Sequence, residues 1–167
     1  MVRSQISMFR SGFSKEGDIH LCFLPLGHTA ALRYTVKQLI LSGSKLVLCE
    51  SFWKIRTKLW DIVEQYKITF FQTVPSILVM ILNTKFSIKK TQFKSIRFIG
   101  CGSALLSKEL QNQFQEKYGL YLSNMYGLSE TGATHFDNPF VNERSTGNIG
   151  KPFDIYDIAI INNGKQC

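Results

Sequence analysis

The run Tyr126-Gly127-Leu128-Ser129-Glu130-Thr131-Gly132 gathers an aromatic ring, a glycine, a hydroxyl and a carboxylate directly after an apolar segment. Those are the parts needed to hold a nucleotide. The ring offers a flat face to a base. The glycine lets the backbone pass close to a ligand. The serine hydroxyl can donate to a phosphate oxygen. The carboxylate can hold a magnesium ion that bridges phosphates. Each residue taken singly also has a structural alternative: a packed ring, a turn hydroxyl, a surface carboxylate.

The heptad resembles the Tyr-Gly-x-Thr-Glu signature of the AMP-forming acyl-CoA synthetases. These belong to the adenylate-forming superfamily, with the luciferases and the nonribosomal adenylation domains. A short motif alone gives false positives. Here four further segments follow the family's order. Leu24-Pro25-Leu26-Gly27-His28 is similar to Leu-Pro-Leu-Phe-His, and Thr73-Val74-Pro75-Ser76 to the Val-Pro-Pro turn. Gly102-Ser103-Ala104-Leu105-Leu106-Ser107 is similar to Gly-Gly-Ala-Pro-Leu-Ser, and Gly147-Asn148-Ile149-Gly150-Lys151-Pro152 to Gly-Ser-Val-Gly-Lys-Pro. The resemblance covers residues 20 to 167.

The resemblance implies a carboxylic acid–CoA ligase. A carboxylate attacks the α-phosphate of ATP, giving an acyl-adenylate and pyrophosphate, and the thiol of coenzyme A then takes the acyl group. The first step brings two anions together, so it needs charge neutralisation and placement more than a protein nucleophile. Carried over by motif, Tyr126 would stack on adenine and Asn124 would hydrogen-bond its amino group. Ser103 and Ala104 would lie along the adenine and the acyl chain. Ser129, where the family more often has threonine, would contact the α-phosphate. Glu130 would bind Mg2+. Gly127 would pass near the acyl carbonyl. His28 would gate or line the acyl tunnel, although Gly27 replaces the aromatic neighbour of the motif. His28 alone also reads as a core histidine or a helix N-terminal residue, and Asn124 as a turn residue. His20 and His135 have no motif support and read as structural or exposed. Lys151, between Gly150 and Pro152, reads as loop structure.

Along its length the chain alternates strand and helix. Strands are expected at Ile19 to Leu24, Lys45 to Cys49, Ile68 to Phe71, Ile96 to Gly100 and Leu120 to Met125. A helix from Thr29 to Leu41 places Leu32, Val36, Leu39 and Ile40 on one apolar face, with Gly43 beyond its end. A second, Lys54 to Tyr66, carries a stripe of Leu59, Ile62, Val63 and Tyr66. A third starts at Pro75 and runs to Asn83. A fourth is capped by Ser107 and runs through Tyr118 to Gly119, with Leu110 and Phe114 inward. Residues 131 to 150 read as a loop and Ile155 to Ile161 as a further strand. Strands separated by helices imply an α/β fold with a mostly parallel sheet flanked by helices. Ligands bind beyond the carboxyl ends of such strands. The segments of His28, Ser103 and Tyr126 all follow strands, which places them on one rim independently of the resemblance.

The family's phosphate loop would precede residue 1, and nothing in Met1 to Lys15 resembles it. Its Thr-Gly-Asp motif and its small C-terminal lid domain, with the lysine of the adenylation step, would follow residue 167. The expectation is therefore that residues 1–167 are a partial AMP-binding domain, a subdomain of the synthetase large domain, with no catalytic lysine of its own and inactive in isolation. Two alternatives stand beside it. One is a non-catalytic nucleotide-binding or scaffold protein of the same fold. The other is an α/β protein that holds nucleic acid through its basic surface, with binding that weakens steeply in salt.

Composition bounds these readings. The net charge is +8 and the sequence pI about 9.4, yet the basic residues are dispersed. The densest patch, Lys85 to Arg97, reads as solvated surface rather than a nucleic-acid site, and an anionic substrate such as ATP or coenzyme A also suits the charge. Cys22, Cys49, Cys101 and Cys167 lack metal-ligand spacing and read as reduced thiols of a cytoplasmic protein. No apolar run is long enough to span a bilayer, and the first residues hold no signal-peptide core. A Rossmann dehydrogenase is unsupported, because Gly100-Cys101-Gly102 is too short for its fingerprint.

Overall fold

Strands covered on both faces are written as near-continuous apolar runs. The chain carries them at Ile19–Cys22 (β1), Lys45–Leu48 (β2), Phe70–Thr73 (β3), Phe98–Gly102 (β4) and Leu122–Leu128 (β5). The computed structural model describes residues 2–85, 90–141 and 146–166, with residues 90 and 91 by backbone alone. Among these, a seven-stranded sheet has the order β2-β1-β3-β4-β5-β6-β7, where β6 is Gly132–Phe136 and β7 is Lys151–Pro152. The first five strands pair in parallel, and β6 and β7 add on antiparallel. The helices are α1 (Val2–Arg10), α2 (Thr29–Ala31), α3 (Gln38–Ser42), α4 (Phe52–Ile55), α5 (Leu59–Tyr66), α6 (Pro75–Asn83) and α7 (Lys108–Tyr118). A π-helical stretch, Leu32–Lys37, joins α2 to α3 without a break. The architecture is the expected α/β one.

Strand alternation sorts the side chains into two cores. Phe71, Ile99 and Cys101 pack with Trp60, Val63, Leu78 and Phe114 from α5, α6 and α7. Their strand neighbours Phe70 and Phe98 pack with Met8, Phe13, Tyr34 and Phe136 on the other face. Phe13 sits in that second core with ring centroids 4.8 Å from Phe70, 5.4 Å from Phe98 and 5.4 Å from Phe136, all edge-on. Each buried phenylalanine of this kind contributes about 1.5–3 kcal/mol by removal from water.

The predicted helix ends hold. Pro75 occupies the first turn of α6, Ser107 accepts from Leu110 N at 3.2 Å, and Gly119 and Gly43 close α7 and α3 in the left-handed region. Other expectations are corrected. The expected helix Lys54 to Tyr66 is two, broken between Ile55 and Leu59. Tyr66 is exposed, because Lys67 turns left-handed at φ 54° and ends α5 beneath it. The strands β3 and β4 each begin and end two residues later than expected. Residues 131 to 150 are not all loop, since Gly132–Phe136 forms β6 against β5. Of Ile155 to Ile161, only Ile161 is in a strand. It pairs with Gln166 across a tight turn at Asn163-Gly164, both left-handed, as Asn-Gly hairpins require.

The apolar face expected on the first helix is also overturned. Leu32 and Ile40 are exposed, while Arg33, Tyr34, Thr35, Gln38 and Ser42 are buried. The inward face is polar because it makes side-chain bonds. Gln38 reaches the Gln5 carbonyl and side chain at 3.1 Å and receives Ser14 Oγ at 2.9 Å. Helix α1, which shows no clear strand–helix signal in the sequence, brings Gln5 to this network.

Candidate functional site

Three parallel strands release their chains at one rim, and the signature heptad lies across it. Tyr126, Gly127 and Leu128 are not in a turn, as their sequence context suggests, but are the last residues of β5. The turn itself is Ser129-Glu130-Thr131, after which the chain returns as β6. Gly127 has no room for a side chain there: a Cβ would lie 2.1 Å from Gly132 O and 2.8 Å from Ala133 Cα. The β5–β6 register shifts between Tyr126 and Gly127, a bulge that re-aims the strand end.

Two adjoining clefts hold the residues named from the motifs. The first, of about 370 Å³, is lined by Ser103, Ala104, Asn124, Tyr126 and Gly127, with apolar walls from Leu105 and Ile149. The second, of about 280 Å³, is lined by His28, Ser103, Gly127, Ser129 and Glu130, together with Arg33. Ser103, Gly127 and Leu128 belong to both. Residues 28, 103 and 126 come from separate βα units, so the topology rather than local sequence assembles them.

Each side chain has a defined setting. Tyr126 is 45% exposed, its ring meeting His135 edge-on at 5.7 Å. Burial lowers the pKa of His135, which keeps a neutral imidazole against the tyrosine ring. Asn124 is buried, and its Nδ2 donates to Asn148 O at 3.0 Å, leaving Oδ1 as the remaining acceptor of the amide. Behind it, burial pushes the Asp137 carboxyl up to about 6, against hydrogen bonds from the Asn124 backbone and the Gln111 side chain. Ser103 is exposed with φ 65°, a left-handed position that glycine takes without strain. His28 is neither buried nor a core residue. It is the N-cap of α2, where Nδ1 accepts from Ala30 N at 3.2 Å.

The turn is held from three sides. Ser129 Oγ lies 3.3 Å from Thr29 Oγ1. Thr131 Oγ1 accepts from Leu128 N at 3.2 Å, and Thr131 O receives the Tyr156 hydroxyl at 2.7 Å. Arg33 donates to Leu128 O at 2.7 Å and to Ser129 O at 2.6 Å. Sequence reasoning missed Arg33, Thr29 and Tyr156. The available signal was an arginine set among small and apolar residues in the first half of the expected helix.

Glu130 is exposed at the cleft, and among the described residues no three His, Cys, Asp or Glu side chains come together as a metal cage. A single carboxylate fits magnesium that arrives on phosphates, since that ion keeps waters and takes one or two protein carboxylates. Among the described residues of the basic patch, none lines either cleft. Residues 86–89 lie outside the described residues, and Arg97 is committed at 2.5 Å to Asp18. Cys22, Cys49 and Cys101 are free thiols whose pKa values burial raises, that of Cys101 to about 12. Cys167 lies outside the described residues, as does any statement of its pairing. No helix among the described residues is long and apolar enough to cross a membrane.

Known proteins resemble this chain in sequence and in fold. The chain is 29% identical over 139 residues to a marinolic acid–CoA ligase of a Pseudoalteromonas species, covering 81% of this chain and 21% of that protein. It is 33% identical over 118 residues to 4-coumarate–CoA ligase 1 of Narcissus pseudonarcissus, covering 70% of this chain and 21% of that protein. It therefore spans about a fifth of the length of these curated relatives. Its fold superimposes on ATP-bound MatB from Rhodopseudomonas palustris with a TM-score of 0.81 at 20% identity, over 91% of this chain and 29% of that one. It superimposes on the O-succinylbenzoate–CoA synthetase MenE of Bacillus subtilis, in complex with ATP and magnesium, with a TM-score of 0.80 at 22% identity, over 99% of this chain and 34% of that one. The model of the AMP-binding enzyme family matches residues 1–167, and the chain belongs to that family.

Proposed function

We propose that this chain carries the nucleotide- and acyl-facing rim of an ATP-dependent carboxylic acid–CoA ligase. The observation that supports this most is that every residue given a binding role by the resemblance lines one of two clefts joined at Ser103 and Gly127. The larger, more apolar cleft takes the adenine, between Tyr126 and the Ser103-Ala104 backbone, with Asn124 Oδ1 accepting from its amino group. The smaller, more polar cleft takes the phosphates and the acyl carboxylate. There Ser129 Oγ donates to the α-phosphate, and His28 and Gly127 border the acyl group. When bound, a magnesium ion neutralises phosphate charge beside Glu130. The chain's own residues bind and orient. They hold carboxylate and α-phosphate together and supply no nucleophile, so the gain is one of proximity and electrostatic placement.

The curated relatives are about five times longer than the matched region, and we read the chain alone as binding nucleotide without forming acyl-adenylate. Titration with ATP, with and without magnesium, tests the site. The wild-type chain should bind, Glu130→Gln should lose the magnesium-dependent part, and both should keep the same thermal midpoint. Equal affinity of the two proteins with magnesium present removes the metal role of Glu130.

A further inference from the structure

We infer that Arg33 is a positioning residue, a two-pronged clamp that sets where Ser129 Oγ and the Glu130 carboxylate are presented. The inference rests on the proposed nucleotide site, because it concerns the turn that would face the phosphates.

Arg33 is 5% exposed, at the floor of the smaller cleft. Its Nη1 donates to Leu128 O at 2.7 Å and its Nη2 to Ser129 O at 2.6 Å. These are short, charge-assisted bonds to two successive carbonyls. Successive carbonyls in extended chain point opposite ways, so one planar guanidinium can take both only where the backbone turns. Arg33 thereby selects the turned conformation of residues 128–130. Ser129 is held at its side chain as well, by Thr29 Oγ1 at 3.3 Å. Arg33 and Thr29 come from one continuous helix, so the helix start and the turn move as a unit.

Two further observations favour function over mere packing. Arg33 lies in the π-helical stretch Leu32–Lys37, and π segments within helices occur frequently at functional sites. Among the described residues the ion pair is Arg97–Asp18, so the charge of Arg33 meets carbonyl dipoles and no carboxylate. A buried cation balanced only by dipoles leaves a positive potential beneath the cleft, which suits an anion above it. Lysine would keep that charge and lose the fork.

Amide hydrogen exchange and magnesium-ATP titration of the whole chain, as wild type, Arg33→Met and Arg33→Lys, decide the matter. In Arg33→Met we expect amides 128–131 to exchange at least about tenfold faster, with β3 and β4 unchanged, and affinity to fall by about tenfold or more. Arg33→Lys should recover part of the affinity and little of the protection. Wild-type exchange at 128–131 in Arg33→Met overturns the clamp, and so does full recovery of both properties in Arg33→Lys. A wild-type chain that fails to bind magnesium-ATP contradicts the proposed function instead, and the exchange data then still decide the clamp.

Discussion

At the scale of single residues, the site mixes groups whose positions cost stability with groups that pack freely. Ser103 holds a left-handed backbone at the cleft, φ 65°, a conformation that costs an L-residue about 1–2 kcal/mol. Ser103→Gly relieves it at the price of a looser unfolded chain, and we expect a net gain of about 0.5–1 kcal/mol in urea denaturation. Gly127→Ala does the reverse, since its Cβ meets β6 backbone at 2.1 Å. The β5–β6 hairpin should then open, read as lost amide protection at Ala133 to Phe136. His20 is fully buried with both ring nitrogens unpartnered. Burial lowers its pKa from 6.5 to about 4, with Asp18 opposing and Arg97 assisting. The folded protein therefore keeps it neutral where the unfolded chain protonates it. Its contribution is whole above pH 6.5 and is lost as pH falls towards 4. Denaturation at several pH values checks this: wild type should lose more stability than His20→Phe between pH 7 and pH 4, and parallel curves would refute it. The sequence showed that Tyr126, Ser129 and Glu130 were chemical candidates. It did not show the setting of His20 or the edge contact of His135 on Tyr126, because both depend on neighbouring strands.

At the scale of elements, what was legible followed local rules and what was missed followed tertiary ones. The ends of α6 and α7 were readable from Pro75, Ser107 and Gly119, which act within one turn of helix. The strands β1 to β5 were readable from apolar runs, to within three residues at either end. The polar inward face of the first helix was not, since nothing near Arg33 or Gln38 in sequence announces Leu128, Ser129 or Gln5. Strand β6 was hidden because its register comes from pairing with β5, and Thr134 and His135 give no strong alternation. Arg97 is the clearest tertiary staple. Its guanidinium pairs with the buried Asp18 at 2.5 Å, donates to Gly12 O at 2.8 Å and lies 4.8 Å from the Phe140 ring centre. Arg97→Ala leaves Asp18 buried and unpaired, and we expect a loss of about 3–5 kcal/mol in denaturation. A loss below 1 kcal/mol would show that water replaces the pair.

At the scale of the whole molecule, β2 is an edge strand of the sheet among the described residues, with its last residue Leu48 exposed and Ile40 exposed on α3. Unpaired edges and apolar faces invite association. Sedimentation should therefore shift to larger species with concentration, and Ile40→Lys should move the chain back towards monomer. The same sheet opens its carboxyl edge to the two clefts, which is where an open α/β sheet takes ligands. Photo-crosslinking with an azido-adenine ATP, with the labelled peptides mapped by mass spectrometry, tests this most directly. Label on Tyr126 or within Ser103 to Leu106, competed by ATP, is the predicted result. ATP-competable label that spares both segments would contradict the assignment of the nucleotide to this rim.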